Sequence, residues 1–413
     1  MSATIMTGGY GATGTTTSGQ FTLPAPSPGS TATEAQAQRT ARFAGTLSRL
    51  TWRVNNAVTA SVTARKGGAS QSLTATNGGS VGTFTDYTHT VSYTATDTID
   101  FIWGGGGVNP VVGMSAIYEG SSNTTIMFHA TTGLAVGSAS CFLSLSYNGT
   151  TGTLPSIAAE TQARAVIRAP GTFSNLLVLA TTNTTTANQT VTSRKNAAAG
   201  TQTVSVTLGT TGAFEDTTHT DSLVSGDTFD FSKSSGTSGS FTANFCVICS
   251  QTGTTFDMAS GASFAVASGT TQYVAISGRG SDPSTTESNH QQQFGIAGTF
   301  SRLRYNINNS TTSNTTTIQP RRNGATGNMI LTVGAAATGT FEDTTRSDAF
   351  GSTDLMNLIM VGSGTGTILS YSWGLVTCDC NVIPVAGLEP ILFIPSQRYS
   401  KVVTYGPMPE GST

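Results

Sequence analysis

The chain has 413 residues, of which only 10% are charged and 48 are glycine, and its formal net charge is −2. So small a charge offers no field for gathering nucleic acid or an anionic membrane surface, and no run approaches the roughly 20 apolar residues of a spanning helix. A hydrophobic fraction of 37% with abundant Gly can build cores, which excludes charge-driven disorder, and at roughly 150 residues per domain the length suits about three domains.

From the N-terminus, Met1-Ser-Ala-Thr-Ile-Met6 lacks a basic start followed by an apolar run, so no secretory signal is read there. Residues 1 to about 20 are rich in Gly and Thr and are expected to form an arm. Beyond them Thr, Ser, Gly, Val and Asn dominate, while Leu, Lys and Glu are thin. β-Branched residues favour pleated surfaces, and Gly and Asn supply turns. No segment holds the helical apolar spacing for a useful length, whereas Val204-Ser-Val206-Thr-Leu208 alternates with period two. The chain is predicted to be all-β.

Four markers then follow in order: Gly45-Thr-Leu-Ser-Arg-Leu50, Arg65-Lys66-Gly67, Gly82-Thr-Phe84-Thr-Asp86 and Asp97-Thr-Ile-Asp100. They return as Gly171-Thr-Phe-Ser-Asn-Leu176, Arg194-Lys195-Asn196, Gly212-Ala-Phe214-Glu-Asp216 and Asp227-Thr-Phe-Asp230. They return again as Gly298-Thr-Phe-Ser-Arg-Leu303, Arg321-Arg322-Asn323, Gly339-Thr-Phe341-Glu-Asp343 and, more loosely, Asp354-Leu-Met-Asn357. The opening glycines lie 126 and 127 residues apart, which is a repeat of domain length. Leu50, Trp52 and Val54 align with Leu176, Val178 and Ala180 and with Leu303, Tyr305 and Ile307, so one face of this strand enters each core. The interleaved Thr51, Arg53, Arg304 and Asn306 are solvent-facing choices, but Leu177 and Leu179 are not. Covering each Leu contributes about 1.5–3 kcal/mol, so the outer face of the middle repeat is expected to pack against a sister domain or another subunit.

The expected fold is three tandem β-sandwich, jelly-roll-like domains of about 127 residues each with a C-terminal extension. Small-residue stretches at Gly137-Ser-Ala-Ser140 and Ala267-Ser-Gly-Thr270 place the domains at 1–139 (including the arm), 140–268 and 269–386, with an extended arm over 387–413. Phe84, Phe214 and Phe341 are expected at superposable buried positions.

Modules carrying G-T-F-S-(N/R)-L, a polar strand ending R-K-N, and G-(T/A)-F-E-D-T-T resemble repeats in structural proteins of tailed bacteriophages. The resemblance covers most of the chain through its three copies, departing from the pattern at Thr85, Tyr87 and Arg346. It implies jelly-roll or sandwich modules that decorate or cement a capsid or form part of a fibre.

Chemical constellations are sparse. His89 and His219 occupy equivalent places, but the third copy has Arg346 there, which cannot serve as a base; both are expected to be exposed strand residues. His129 and His290 are isolated. Cys246-Val-Ile-Cys249 has knuckle spacing, yet on a strand i and i+3 point to opposite faces. Cys378 and Cys380 share a face, and all five cysteines, with Cys141, are expected as buried thiols. Asp86, Asp216 and Asp343, with Asp97, Asp100, Asp227 and Asp230, suit a hard cation, but turn capping explains their recurrence without one. Trp52, Trp103, Trp373 and Tyr10 could stack on sugars, although Trp52 is already assigned inward. Gly362-Ser-Gly364-Thr-Gly366 lacks the Lys-Ser/Thr ending of a phosphate loop, and Gly-x-Ser-x-Gly is absent.

After Cys380, prolines at 384, 390, 395, 407 and 409 forbid a long helix. The apolar run Ile391 to Ile394, containing Phe393, needs a partner. An arm adding a strand to a neighbour would be anchored by Ile391, Phe393, Arg398, Tyr399, Lys401 and Tyr405, and the other interface candidates are Leu177 and Leu179. The functional expectation is a non-enzymatic structural protein on a phage particle, assembled in the host cytoplasm. Its partners would be itself, preferably as a homotrimer, and virion proteins such as the major capsid protein. The alternative is a carbohydrate-binding receptor-recognition protein whose partner is a host-surface glycan. No metal, cofactor, nucleic acid or membrane is expected in either case.

Overall fold

Alternation of β-branched and polar residues, punctuated by Gly, Asn and Asp, makes strands and little else in the computed structural model. It describes residues 2–8, 19, 21–22, 34–41, 43–54, 57–105, 111–120, 124–129, 141–145, 159–234, 238–251, 255–260, 265–266, 269–276, 283–365 and 369–381.

Eight principal strands recur in each repeat. The first set is β1 (Ser2–Gly8), β2 (Phe21–Thr22), β3 (Gly45–Val54), β4 (Ala60–Lys66), β5 (Ala69–Thr76), β6 (Gly82–Asp86), β7 (Thr98–Gly105) and β8 (Val111–Gly120). The second is β9 (Thr124–His129), β10 (Cys141–Leu143), β11 (Gly171–Asn183), β12 (Gln189–Lys195), β13 (Ala198–Val206), β14 (Gly212–Leu223), β15 (Thr228–Lys233) and β16 (Phe241–Gln251). The third is β17 (Thr255–Ser260), β18 (Thr271–Val274), β19 (Ala297–Ser310), β20 (Thr316–Arg322), β21 (Ala325–Thr326), β22 (Gly339–Glu342), β23 (Met356–Gly362) and β24 (Leu369–Asn381).

Each set forms two antiparallel sheets. The orders are β1-β8-β3-β6 with β2-β7-β4-β5, then β9-β16-β11-β14 with β10-β15-β12-β13, then β17-β24-β19-β22 with β18-β23-β20-β21. Counted within a repeat, the first strand lies beside the eighth and the second beside the seventh, which is the double-sheet jelly roll. The chain is thus an all-β, multi-sandwich protein with one strand order used three times.

Two expectations from the sequence need correction. Ser2–Gly8 is no loose arm, because it pairs along its whole length with β8, from Ser2 opposite Gly120 to Gly8 opposite Met114. The boundaries near 139 and 268 also differ from the pairing. β9 lies beside β16 of the second set, and β17 beside β24 of the third, so the sets run over 2–120, 124–251 and 255–381. The small-residue stretches at 137–140 and 267–270 follow the first strand of a set instead of preceding it. A weaker signal marked the true starts: Thr4-Ile-Met6 returns as Thr125-Ile-Met127.

Each sandwich closes on a hydrophobic cluster. Trp52 and Trp103 meet at 5.6 Å in the first, Phe173 and Phe229 at 4.6 Å in the second, and Phe300 and Phe350 stack at 4.2 Å in the third. The inward set of β3, β11 and β19 is buried as its period predicts. Phe84, Phe214 and Phe341 occupy matching positions, opposite Trp52, Val178 and Tyr305. They are half-buried against their clusters and not enclosed, because β6, β14 and β22 are terminal in their sheets.

Candidate functional site

The first marker encodes a bulged strand. A Cβ on Gly45 would stand 2.6 Å from the Glu119 carbonyl oxygen, so β3 can approach β8 only with glycine there. Four residues on, Arg49, Asn175 and Arg302 adopt φ of 51°, 54° and 51°, a left-handed conformation that costs about 1 kcal/mol or more in a non-glycine residue. The ladder shifts register at these residues, between Ser115 and Ile117 in the first repeat and at matching places in the others. A bulge re-aims the side chains beside it, and here it turns them toward a neighbouring repeat.

The outer faces of these strands are consequently covered. Thr51 is 2% exposed, Leu177 5% and Arg304 0%; Asn306 is buried, and Arg53 and Leu179 are half-buried. The expectation that Thr51, Arg53, Arg304 and Asn306 face solvent is therefore overturned, since every repeat, and not the middle one alone, turns this sheet toward a sister. Leu177 of the second repeat joins the first cluster, Leu375 of the third joins the second, and Ile117 of the first joins the third. The three contacts close a cycle within one chain.

Polar contacts follow the same cycle. The segment before β19 lies on the first repeat: Arg49 Nη1 donates to Gly295 O at 2.9 Å, Arg53 Nη2 to Gln291 Oε1 at 2.8 Å and Ser115 Oγ to Gln293 O at 2.6 Å. Gln293 Nε2 donates to the Tyr87 hydroxyl at 2.9 Å. The matching segment before β11 lies on the third repeat, where Arg168 pairs with Glu342 and Arg304 Nε donates to Val166 O at 2.7 Å. Arg304 and Asp257 form an ion pair at 2.7 Å with side chains 0% and 1% exposed. Asp257 also accepts from the backbone N–H of Arg168 and the Thr377 hydroxyl. Such a pair is stable only because both charges are further hydrogen-bonded.

The other three markers hold each sandwich together. Arg65, Arg194 and Arg321 are gripped by Glu34, Glu160 and Glu287, with Nε to Oε1 distances of 2.7, 2.6 and 2.7 Å. Directly across the ladder lie Asp100, Asp230 and Asn357, each 0% exposed. The carboxylate oxygens of Asp100 and Asp230 accept no hydrogen bond. Burial pushes Asp100 up to about 7 and Asp230 up to about 8, with Glu34 and Glu160 adding to the effect and Arg65 and Arg194 opposing it. Asn357 is the neutral counterpart. Asp97 and Asp227 pair with Lys66 and Lys195 at 3.1 Å and cap the preceding turns.

Asp86, Asp216 and Asp343 act as turn caps. Each accepts the N–H groups two and three residues ahead and one from the neighbouring strand. Burial opposes ionisation, but these donors prevail and hold all three below the usual carboxylate range, Asp343 at about 2. His89 and His219 are exposed, with Nδ1 2.9 Å from Oδ2 of Asp86 and Asp216, and Arg346 makes the same pair with Asp343 at 3.1 Å. A nitrogen donor beside the cap is what the position keeps, by either residue type.

Among the described residues no three His, Cys, Asp or Glu side chains gather to hold an ion, and no helix is long and apolar enough to cross a membrane. Cys378 and Cys380 form a disulfide, Cα atoms 5.6 Å apart, which corrects the expectation of free thiols; same-face neighbours on a strand are within bonding reach. Cys141 and Cys249 are free and buried. Trp52, Trp103 and His290 are buried, while nothing is described of the side chains of Trp373, His129 and Cys246. Tyr10, Ile391, Phe393, Arg398, Tyr399, Lys401 and Tyr405 lie outside the described residues. The chain matches no family model, and no curated protein matches it.

Proposed function

We propose that the protein is a non-enzymatic structural component of a phage particle surface, decorating or cementing the capsid or forming part of a fibre. One observation carries this reading: three jelly rolls of identical strand order cover one another in a closed cycle of contacts within a single chain. Viral coats make wide use of this fold, and a cyclic trio in one chain offers three related surfaces to a symmetric lattice. The recurring charges serve turns, and Arg168 with Glu342 joins two repeats, which is the economy of a scaffold. The resemblance of the repeat markers to those of tailed-phage structural proteins points the same way. The segment after Val385, with Ile391, Phe393, Arg398, Tyr399, Lys401 and Tyr405, is the proposed particle-binding arm. The test is to add full-length and Val385-truncated protein to particles lacking the chain and sediment them. The reading expects the full chain to co-sediment and the truncated chain to remain free. Equal co-sedimentation removes the arm, and no co-sedimentation of either removes the particle.

A further inference from the structure

Repeats diverge where they acquire separate tasks, and the sharpest divergence lies beside the hairpin joining β20 and β21. In the second repeat Asp221 is closed over by its own sandwich. It accepts from Ser193 Oγ at 2.6 Å, Gln202 Nε2 at 3.0 Å, and the N–H and hydroxyl of Thr201 at 2.7 and 3.1 Å. The matching carboxylate in the third repeat is Asp348, 6% exposed. Pro320 stands where Ser193 does and Met329 where Gln202 does, so both side-chain donors are gone. Among the described residues, Asp348 accepts only the backbone N–H groups of Asn328 and Met329. A buried carboxylate with acceptor capacity to spare is a costly arrangement unless something else donates to it.

A crevice of about 310 Å³ opens at this place, lined among others by Pro320, Arg322, Ala325, Asn328, Asp348 and Met356. That volume is at the lower end of the range for small-molecule sites. Its accessible apolar lining is the exposed Ala325 and Ala349, since Pro320 and Met356 are buried. Arg321 is committed to Glu287, Gly324 O and Thr326 Oγ1. Arg322 donates from Nη1 to Ala349 O and its Nε lies 3.9 Å from Oδ2 of Asp354, but its side chain is 53% exposed, which leaves N–H groups of Nη2 for a ligand in the crevice it lines.

We infer that this crevice binds one sugar unit of a glycan. One ring hydroxyl donates to Asp348, a neighbouring hydroxyl accepts from Arg322, and a C–H face of the ring lies on Ala325 and Ala349. An acceptor and a donor beside a small apolar lining match a vicinal diol, whereas a phosphate or an ammonium would meet one like charge, at Asp348 or Arg322, along with its counter-charge. The inference does not depend on the particle-surface reading, and it gives the glycan expectation a location in the third repeat.

The test uses the full-length chain and methyl glycosides of glucose, galactose, mannose, rhamnose and N-acetylglucosamine, followed by saturation-transfer NMR. At least one glycoside is expected to bind with a dissociation constant of about 1 mM or tighter, and Arg322→Ala to weaken it about tenfold. Ala325→Trp, which fills the mouth, abolishes binding, while Ala198→Trp at the matching place in the second repeat leaves it unchanged. Circular dichroism confirms that each variant folds; should Ala325→Trp not fold, Arg322→Ala against Ala198→Trp still decides. Binding of no glycoside overturns the inference. So does equal loss in Ala198→Trp, or displacement of the glycoside by inorganic phosphate or ethylamine at lower concentration than its own.

Discussion

Replacing Asp100 with Asn tests the buried-carboxylate account within the first repeat, whose cluster holds Trp52 and Trp103 as built-in reporters. Asp100 is 0% exposed, its oxygens accept no hydrogen bond, and Nε of Arg65, 3.7 Å from its Oδ2, donates instead to Glu34. Its carboxyl is pushed from near 4 up to about 7, which corresponds to about 4 kcal/mol at roughly 1.4 kcal/mol per pH unit. Below about pH 4 the group is protonated in folded and unfolded chains alike, so ionisation costs nothing. Between pH 4 and 7 the unfolded chain releases the proton while the folded chain keeps it, and stability falls as pH rises. Asn has the same shape without the charge, as Asn357 shows in the third repeat. Urea unfolding followed by tryptophan fluorescence should therefore find Asp100→Asn more stable than the parent by about 3–4 kcal/mol at pH 8 and by less than about 1 kcal/mol at pH 4. An equal difference at both pH values, or a less stable variant at pH 8, would refute the reasoning.

Asp216→Asn should lose about 1–3 kcal/mol near neutral pH; because its folded carboxyl is held low, the loss should begin to shrink only as pH falls below about 4 and vanish once the folded carboxyl itself is protonated, as read by urea midpoints across pH. Leu177→Ala should cost about 2–3 kcal/mol, and hydrogen exchange should quicken where it meets the first repeat while the second repeat's own core strands keep their protection. Arg304→Met alone should destabilise by about 3–5 kcal/mol, and adding Asp257→Leu should recover most of it; a double variant as weak as the single one contradicts the ion-pair account.

The strand content and the threefold repeat were legible because alternation and turn chemistry are local. The inward set Leu50, Trp52 and Val54 could be read from period two alone. The covered outer face was legible only where it was apolar, at Leu177 and Leu179. Thr51 and Arg304 hide at the same position as Leu177, because a polar residue can be buried when strands distant in sequence supply partners for that face: Gln293 of the third repeat lies opposite Ser115, Val166 of the second meets Arg304, and Asp257 meets it from the first strand of its own repeat. The first strand of each set escaped notice because pairing with the eighth strand defines it, and its local signal, Thr-Ile-Met in the first two sets, is broken in the third at Thr255-Phe-Asp-Met258. Asp348 was invisible for a similar reason. Its meaning comes from Pro320 and Met329 having replaced Ser193 and Gln202, a difference that shows only once strands are superposed.

Electron cryo-microscopy of purified particles of the phage proposed to use this chain tests the central claim most directly. The account predicts density on the outer surface that fits a single chain, with three jelly rolls in cyclic contact through Leu177, Leu375 and Ile117, joined to the particle by the segment after Val385. Particles from which the chain is absent, or repeats held apart with those three side chains open to solvent, would contradict it.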